Sequence, residues 1–147
     1  MGLILRRPDD PPASDAYAQW FATTGTQARL DPERRLPDMD ARLEAAFAAS
    51  IEAWWGLGRD MAGDPTAAFA HTPAAAAFES DFGVMLAWTR LAAEIAAGDK
   101  VHLAVCDDPW LFRHIAALPG IKAGRPPALW PRALFLFARG FLARAAV

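Results

Sequence analysis

Cys106-Asp107-Asp108 is the stretch of this sequence whose residue types could do chemistry. It follows Val101-His102-Leu103-Ala104-Val105, a brief β-branched run that reads as a strand covered on both faces. Adjacent carboxylates after a strand can hold a metal ion, a sugar hydroxyl or a basic group. In parallel α/β folds, the carboxyl end of a strand is where ligands bind. Asp108 already has a structural explanation, because it stands before Pro109 as a capping side chain ahead of a proline at the first helical position. Asp107 is the member left unexplained. The candidate ligand-binding set is Asp107 and Asp108, joined by Asp81 and His114; no metal site and no catalytic residue is assigned.

Cys106 and His114 flank one strand-to-helix turn, which invites a nucleophile and base pair. Against it, His114 falls nearly two turns into the following helix and no third group is placed to orient it. A lone cysteine at a strand end is more often packing. His102 alternates with Val101 and Leu103 and reads as facing a polar neighbour; His71 reads as a loop residue. One cysteine excludes an internal disulfide, and three scattered histidines argue against structural zinc. Neither G-x-G-x-x-G nor G-x-x-x-x-G-K-[ST] occurs, so no cofactor is expected. No nucleic-acid module is recognisable, and no nucleic-acid partner is expected.

These residues need a scaffold, and 147 residues suffice for one domain with a continuous core. With 54% hydrophobic and 22% charged residues the chain reads as globular, and its alanine content favours helices. Leu3 to Leu5 is a candidate first strand. Ser14 or Asp15 can cap a short helix through Tyr17, Trp20 and Phe21. Leu36-Pro37-Asp38 opens a strong helix, with Asp38 as its cap and Met39, Leu43, Phe47, Ile51, Trp54 and Trp55 on one stripe. Gly56 and Gly58 are expected to end it.

Asp64-Pro65 and Thr72-Pro73 each pair a cap with a first-turn proline, the first opening a short helix to Ala70. The second opens a longer helix through Ala97, interrupted by Gly83, which either permits close helix packing or splits the segment at Ser80-Asp81. Gly98-Asp99 turns into the Val101–Val105 strand, and Leu118-Pro119-Gly120 stops the helix begun at Asp108-Pro109. The fold class is therefore α/β and helix-rich: a small parallel sheet flanked by helices, an incomplete Rossmann-like lobe with a C-terminal amphipathic helix. Only two strands are legible, fewer than a stable sheet needs.

The net charge of −2 is unevenly spread. From Ile121 onward there are five cations (Lys122, Arg125, Arg132, Arg139, Arg144) and no acid, which leaves −7 over the first 120 residues. The reading divides the chain into a helix-rich α/β domain, 1–120, and a basic, apolar helical tail, 121–147. Trp130, Arg132, Phe135, Arg139 and Arg144 are candidate contacts to an anionic membrane surface or a protein partner. A capped C-terminal helix with cations near its negative end is the plainer reading of the same residues. No stretch reaches the roughly 18 apolar residues that span a bilayer. The expected setting is cytoplasmic, with the tail peripheral to the inner membrane.

Leu36-Pro37 leading a helix through Phe47 to Trp54-Trp55 and Leu57-Gly58, then Leu86 and Trp88, then a strand closing on Asp107-Asp108-Pro109, form an ordered set over residues 36–120. In this order the chain resembles the N-terminal part of bacterial surface-carbohydrate biosynthesis proteins, a glycosyltransferase-like family of polysaccharide assembly. The resemblance implies the acceptor-side beginning of a two-lobed sugar-transferring protein, inactive alone, with a glycan acceptor as ligand. The family's Ser-Leu-Trp-Trp-like segment has here only Phe69 to Phe82, without a tryptophan pair, and no catalytic residue carries over. The alternative from a different class is a small non-catalytic module for membrane-surface or protein interaction.

Overall fold

The computed structural model describes residues 2–10, 16–23, 28–64 and 81–130. Its elements in chain order are β1 (Leu3–Arg6), β2 (Gln19–Ala22), a 3-10 turn (Pro32–Arg34), α1 (Met39–Ala62), α2 (Asp81–Ala96), β3 (His102–Val105), α3 (Pro109–Ala116) and β4 (Ile121–Ala123). The four strands form one all-parallel sheet in the order β2-β3-β1-β4. The protein is thus helix-rich α/β with a small parallel sheet.

Register sorts the strand residues into rows: Gln19, His102, Leu3 and Ile121; Trp20, Leu103, Ile4 and Lys122; Phe21, Ala104, Leu5 and Ala123; then Ala22, Val105 and Arg6. Side chains alternate between faces along a strand, so the first and third rows share one face and the second and fourth the other. Leu3, Leu5, Phe21 and Ala104 join Trp88, Leu91, Phe112 and Ile115 in the larger core, under the three helices. Phe21 stacks parallel to Trp88, with ring centroids 6.0 Å apart. Trp20, Leu103 and Val105 form a second cluster with Tyr17, and Ile4, Ala28 and Leu30 pack against it.

Crossover handedness explains the segregation. The steps β2 to β3 and β3 to β4 run the same way across the sheet, so right-handed crossovers place α1, α2 and α3 on one face. The step β1 to β2 runs the opposite way, and Tyr17, just before β2, packs in the cluster on the other face.

Several sequence expectations change. Residues Tyr17 to Phe21 do not form a helix: Trp20 and Phe21 enter opposite clusters, as neighbours in a strand do, and Gln19–Ala22 is β2. Asp38 does not cap α1 with its side chain. Its left-handed backbone (φ 56°, ψ 32°) departs from the extended conformation in which a cap reaches the first amides. Gly56 and Gly58 lie inside α1, which ends at Gly63, since about 1 kcal/mol per helical glycine does not stop a helix held by packing.

Met39, Leu43, Phe47 and Trp54 do face the core, whereas Ile51 and Trp55 are exposed. Gly83 sits buried in α2, where it lines a small recess with Phe47, Ser50 and Trp54 of α1; Ser80, at the expected alternative break, lies outside the described residues. The sheet has four strands rather than two, and it runs past residue 120, because Ile121–Ala123 pairs with β1. The short helix to Ala70, the Thr72-Pro73 helix start and the C-terminal amphipathic helix lie outside the described residues.

Candidate functional site

Strands β1 and β3 are neighbours, yet their onward steps, β1 to β2 and β3 to β4, run in opposite directions across the sheet. That divergence is a topological switch point, and the crevice it opens at the carboxyl ends is where open α/β sheets bind ligands. The last rung beneath it is Cys106 N–H donating to Arg6 O at 3.0 Å. One lip is Arg6-Arg7 with the turn to Asp10; the other is Cys106-Asp107-Asp108. Thr23, after β2, and Gly124, after β4, flank the two lips, tied in by Thr23 N–H to Val105 O (3.0 Å) and Gly124 N–H to Leu5 O (2.9 Å).

Asp108 is a cap, as its place before Pro109 implies. Its Oδ1 accepts from the backbone amides of Trp110 and Leu111, both at 2.9 Å. The first free amides of α3 are thereby occupied by the protein's own carboxylate. Asp107 is exposed on the same turn. Cys106 is fully buried and its thiol donates toward Asp108 O at 3.6 Å. Burial pushes that thiol up to about 11, against a smaller opposing influence from Thr23. At neutral pH it is a packed thiol, not a nucleophile.

His114 is not at the crevice. It lies exposed on α3 in an open groove of about 410 Å³ against α2, with Met85, Leu86, Thr89, Trp110 and Arg113. Burial places Cys106 in the helix-side core while His114 faces out, so the nucleophile and base pair has no geometric support. Asp81 is the first residue of α2. Of the five tail candidates, Trp130 is described and is 75% exposed; Arg132, Phe135, Arg139 and Arg144 lie outside the described residues. His102 is half-buried, with the charged groups of Arg42 and Lys100 near enough to act on it. Burial first, then the charges of Arg42 and Lys100, hold it below its ordinary value, and its Nδ1 is buried with no hydrogen-bond partner among the described residues.

The basic lip of the crevice was not singled out by sequence reasoning. Arg7 grips Asp10 through Nε (3.1 Å) and Nη2 (2.7 Å) to Oδ1, while its backbone N–H donates to Oδ2 at 2.9 Å. Burial alone would raise the Asp10 carboxyl, but the hydrogen bonds from Arg7 and the charges of Arg7 and Arg6 outweigh it and hold the group below its ordinary value. Arg6 acts on Asp10 through its charge without a hydrogen bond, and its Nε is buried with no acceptor among the described residues. The available signal was the pair Arg6-Arg7 directly after an apolar triplet, which placed two cations at a strand end once Leu3–Leu5 was read as a strand.

Among the described residues no group of three or more His, Cys, Asp or Glu side chains is placed to hold a metal ion, and no helix is long and apolar enough to cross a membrane. No protein-family model matches the sequence, and comparison with curated proteins and with solved structures finds no match either.

Proposed function

We propose that this chain is a ligand-binding lobe of the glycosyltransferase-like kind, from the acceptor side of surface-polysaccharide biosynthesis, which binds a glycan at the crevice between β1 and β3 and is inactive alone. The observation that carries the reading is the switch-point crevice with the exposed Asp107 carboxylate on its rim. A carboxylate there accepts hydrogen bonds from sugar hydroxyls, and the buried strands beneath hold it in place. The fold alone does not specify a sugar ligand, because parallel α/β sheets host many functions. The sugar class rests on the resemblance over residues 36–120, and the arginine-rich segment beyond residue 121 would set the lobe against an anionic inner-membrane surface.

Titrating nucleotide sugars and glycan acceptors against the purified chain, and against longer relatives, tests this. Saturable binding that weakens about tenfold in Asp107→Ala supports it, as expected for loss of a charged hydrogen-bond acceptor. Absence of binding to any of these proteins ends the reading.

A second reading is favoured by a separate observation. Trp110 is an exposed large apolar side chain lining the open α2–α3 groove, Leu129 and Trp130 are exposed as well, and Arg113 Nη1 ties the chain at Pro127 O (3.0 Å) to α3. Such a surface suits a non-catalytic interaction module. Vesicle co-sedimentation separates its membrane form: unchanged partitioning after charge reversal of Arg132, Arg139 and Arg144 removes the membrane.

A further inference from the structure

The crevice has one cation whose charge the fold does not consume. Arg6 ends β1, a central strand, on the face opposite the described α-helices, in the row of Val105 and Ala22. Arg6 is half-buried, and a guanidinium nitrogen withdrawn from water is ordinarily hydrogen-bonded, because its desolvation is otherwise uncompensated. Here Nε is sealed with no acceptor, and the terminal nitrogens make no hydrogen bond or ion pair with the described residues. The nearest carboxylate, Asp10, directs Oδ1 to the Arg7 side chain and Oδ2 to the Arg7 backbone N–H. Two guanidiniums thus share one carboxylate, with a positive charge left over. Asp9 and Asp107 are exposed, where water and salt weaken their influence.

A second observation concerns the space around that charge. Gly124 lies against the guanidinium: a Cβ there would come to 3.2 Å from Arg6 Nη1, 3.5 Å from Arg6 Cδ and 3.4 Å from Asp10 Oδ2. The missing side chain lets the Arg6 guanidinium lie across the end of β4, on the Asp10 side of the β1 lip. The amides of α3 that could otherwise take an anion are occupied by Asp108. Of the groups described at this end of β1, the guanidinium is the one with donors to spare for an anion.

We infer that Arg6, beside Gly124 at the carboxyl ends of β1 and β4, binds an oxyanion of a ligand seated over the strand ends, a phosphoryl or carboxylate group, through its guanidinium fork. The planar fork matches both groups, and the bond is charge-assisted. The inference rests on the crevice being the ligand site, and it assigns the ligand an anionic group. In sugar chemistry that group is the phosphate of an activated sugar or the carboxylate of a uronic acid.

The test is calorimetric titration of the full chain at low ionic strength with sodium pyrophosphate in one arm and sodium glucuronate in the other, with backbone amide shifts recorded at Gly124 and Cys106. Saturation in either arm, with shifts at both amides, is expected, and the arm that saturates names the source of the oxyanion. Arg6→Gln should weaken that binding about 10- to 100-fold, the range for one charged hydrogen-bonding group, while Arg6→Lys retains part of it. If Arg6→Gln does not fold, Gly124→Ala crowds Nη1 without touching the charge and should weaken binding several-fold with the fold intact. No saturation in either arm, or equal affinity in the unaltered chain and the Arg6→Gln variant, overturns the inference. Binding of an uncharged glycan that is indifferent to Arg6→Gln leaves the glycan reading standing and removes this one. Oxyanion binding without any glycan binding does the reverse.

Discussion

The two faces of the sheet are closed by different means. On one, Leu3, Leu5, Phe21 and Ala104 are covered by helices that bring large apolar side chains, with Phe112 and Ile115 fully buried. On the other, Trp20, Leu103 and Val105 are packed by Tyr17, Ala28 and Leu30 from irregular chain, which is held by hydrogen bonds. Trp20 Nε1 donates to Asp31 O at 2.6 Å, Leu36 N–H donates to Trp20 O at 2.7 Å, and the Arg34 guanidinium donates to Tyr17 O while lying 4.2 Å from the centroid of that ring. A parallel sheet must be covered on both sides. The helix face meets that need with area, and the loop face meets it with polar pins. The crevice opens where the two kinds of cover part.

The sharpest way to break this contrast is Phe112→Ala. It opens a cavity beneath the helices and should cost about 3–5 kcal/mol in chemical denaturation. A loss under about 1 kcal/mol would mean that the helix face is not the main source of stability.

The buried thiol gives the next largest effect. The unfolded chain releases the Cys106 proton near the ordinary value of 9.0, whereas the folded chain holds it to about 11. The stabilisation is therefore complete below pH 9 and declines, by roughly 2–3 kcal/mol, as pH rises through 11. Cys106→Ala should flatten that alkaline decline, as followed by thermal unfolding between pH 8 and 11. An identical decline in the variant would assign it to other groups.

The polar pins of the loop face predict smaller losses. Trp20→Phe keeps most of the ring and deletes the donor to Asp31 O, so it should cost about 0.5–1.5 kcal/mol and loosen amide protection near Leu36. Asp108→Ala removes the α3 cap on the helix side and should cost about 1 kcal/mol. At low pH a different pin fails. Asp10, held below its ordinary value, contributes stability above the carboxylate range, and that contribution is lost as pH falls through its folded value.

How much of this was legible in sequence follows the same division. The helix-side elements announced themselves through local patterns: the stripe from Met39 to Trp54, the Asp108-Pro109 cap and the β-branched run of β3. The edge strands did not. In β2 the four residues Gln19–Ala22 are too few for a period to show, and two adjacent aromatics suit a helix as well as a strand until their separate destinations are known. In β4 the segment Ile121-Lys122-Ala123 carries a lysine on an exposed edge and acquires its strand character from pairing with β1. The site divided likewise. Asp107 and Asp108 were marked by their position after a strand, whereas Arg6 gains meaning from Gly124, which reaches it through the sheet and not along the chain.

The strand order also bears on how the molecule comes together. β1 has no partner close to it in sequence: its neighbours β3 and β4 arrive about a hundred or more residues later. Pairings of such long range make for slow assembly, because chain entropy must be surrendered before any contact repays it. During synthesis the first apolar strand would wait, unpaired, until nearly the whole domain had left the ribosome. A growing chain halted before His102 should therefore stay protease-sensitive at its start, and protection of Leu3–Arg6 should appear late and together with that of β3 and β4.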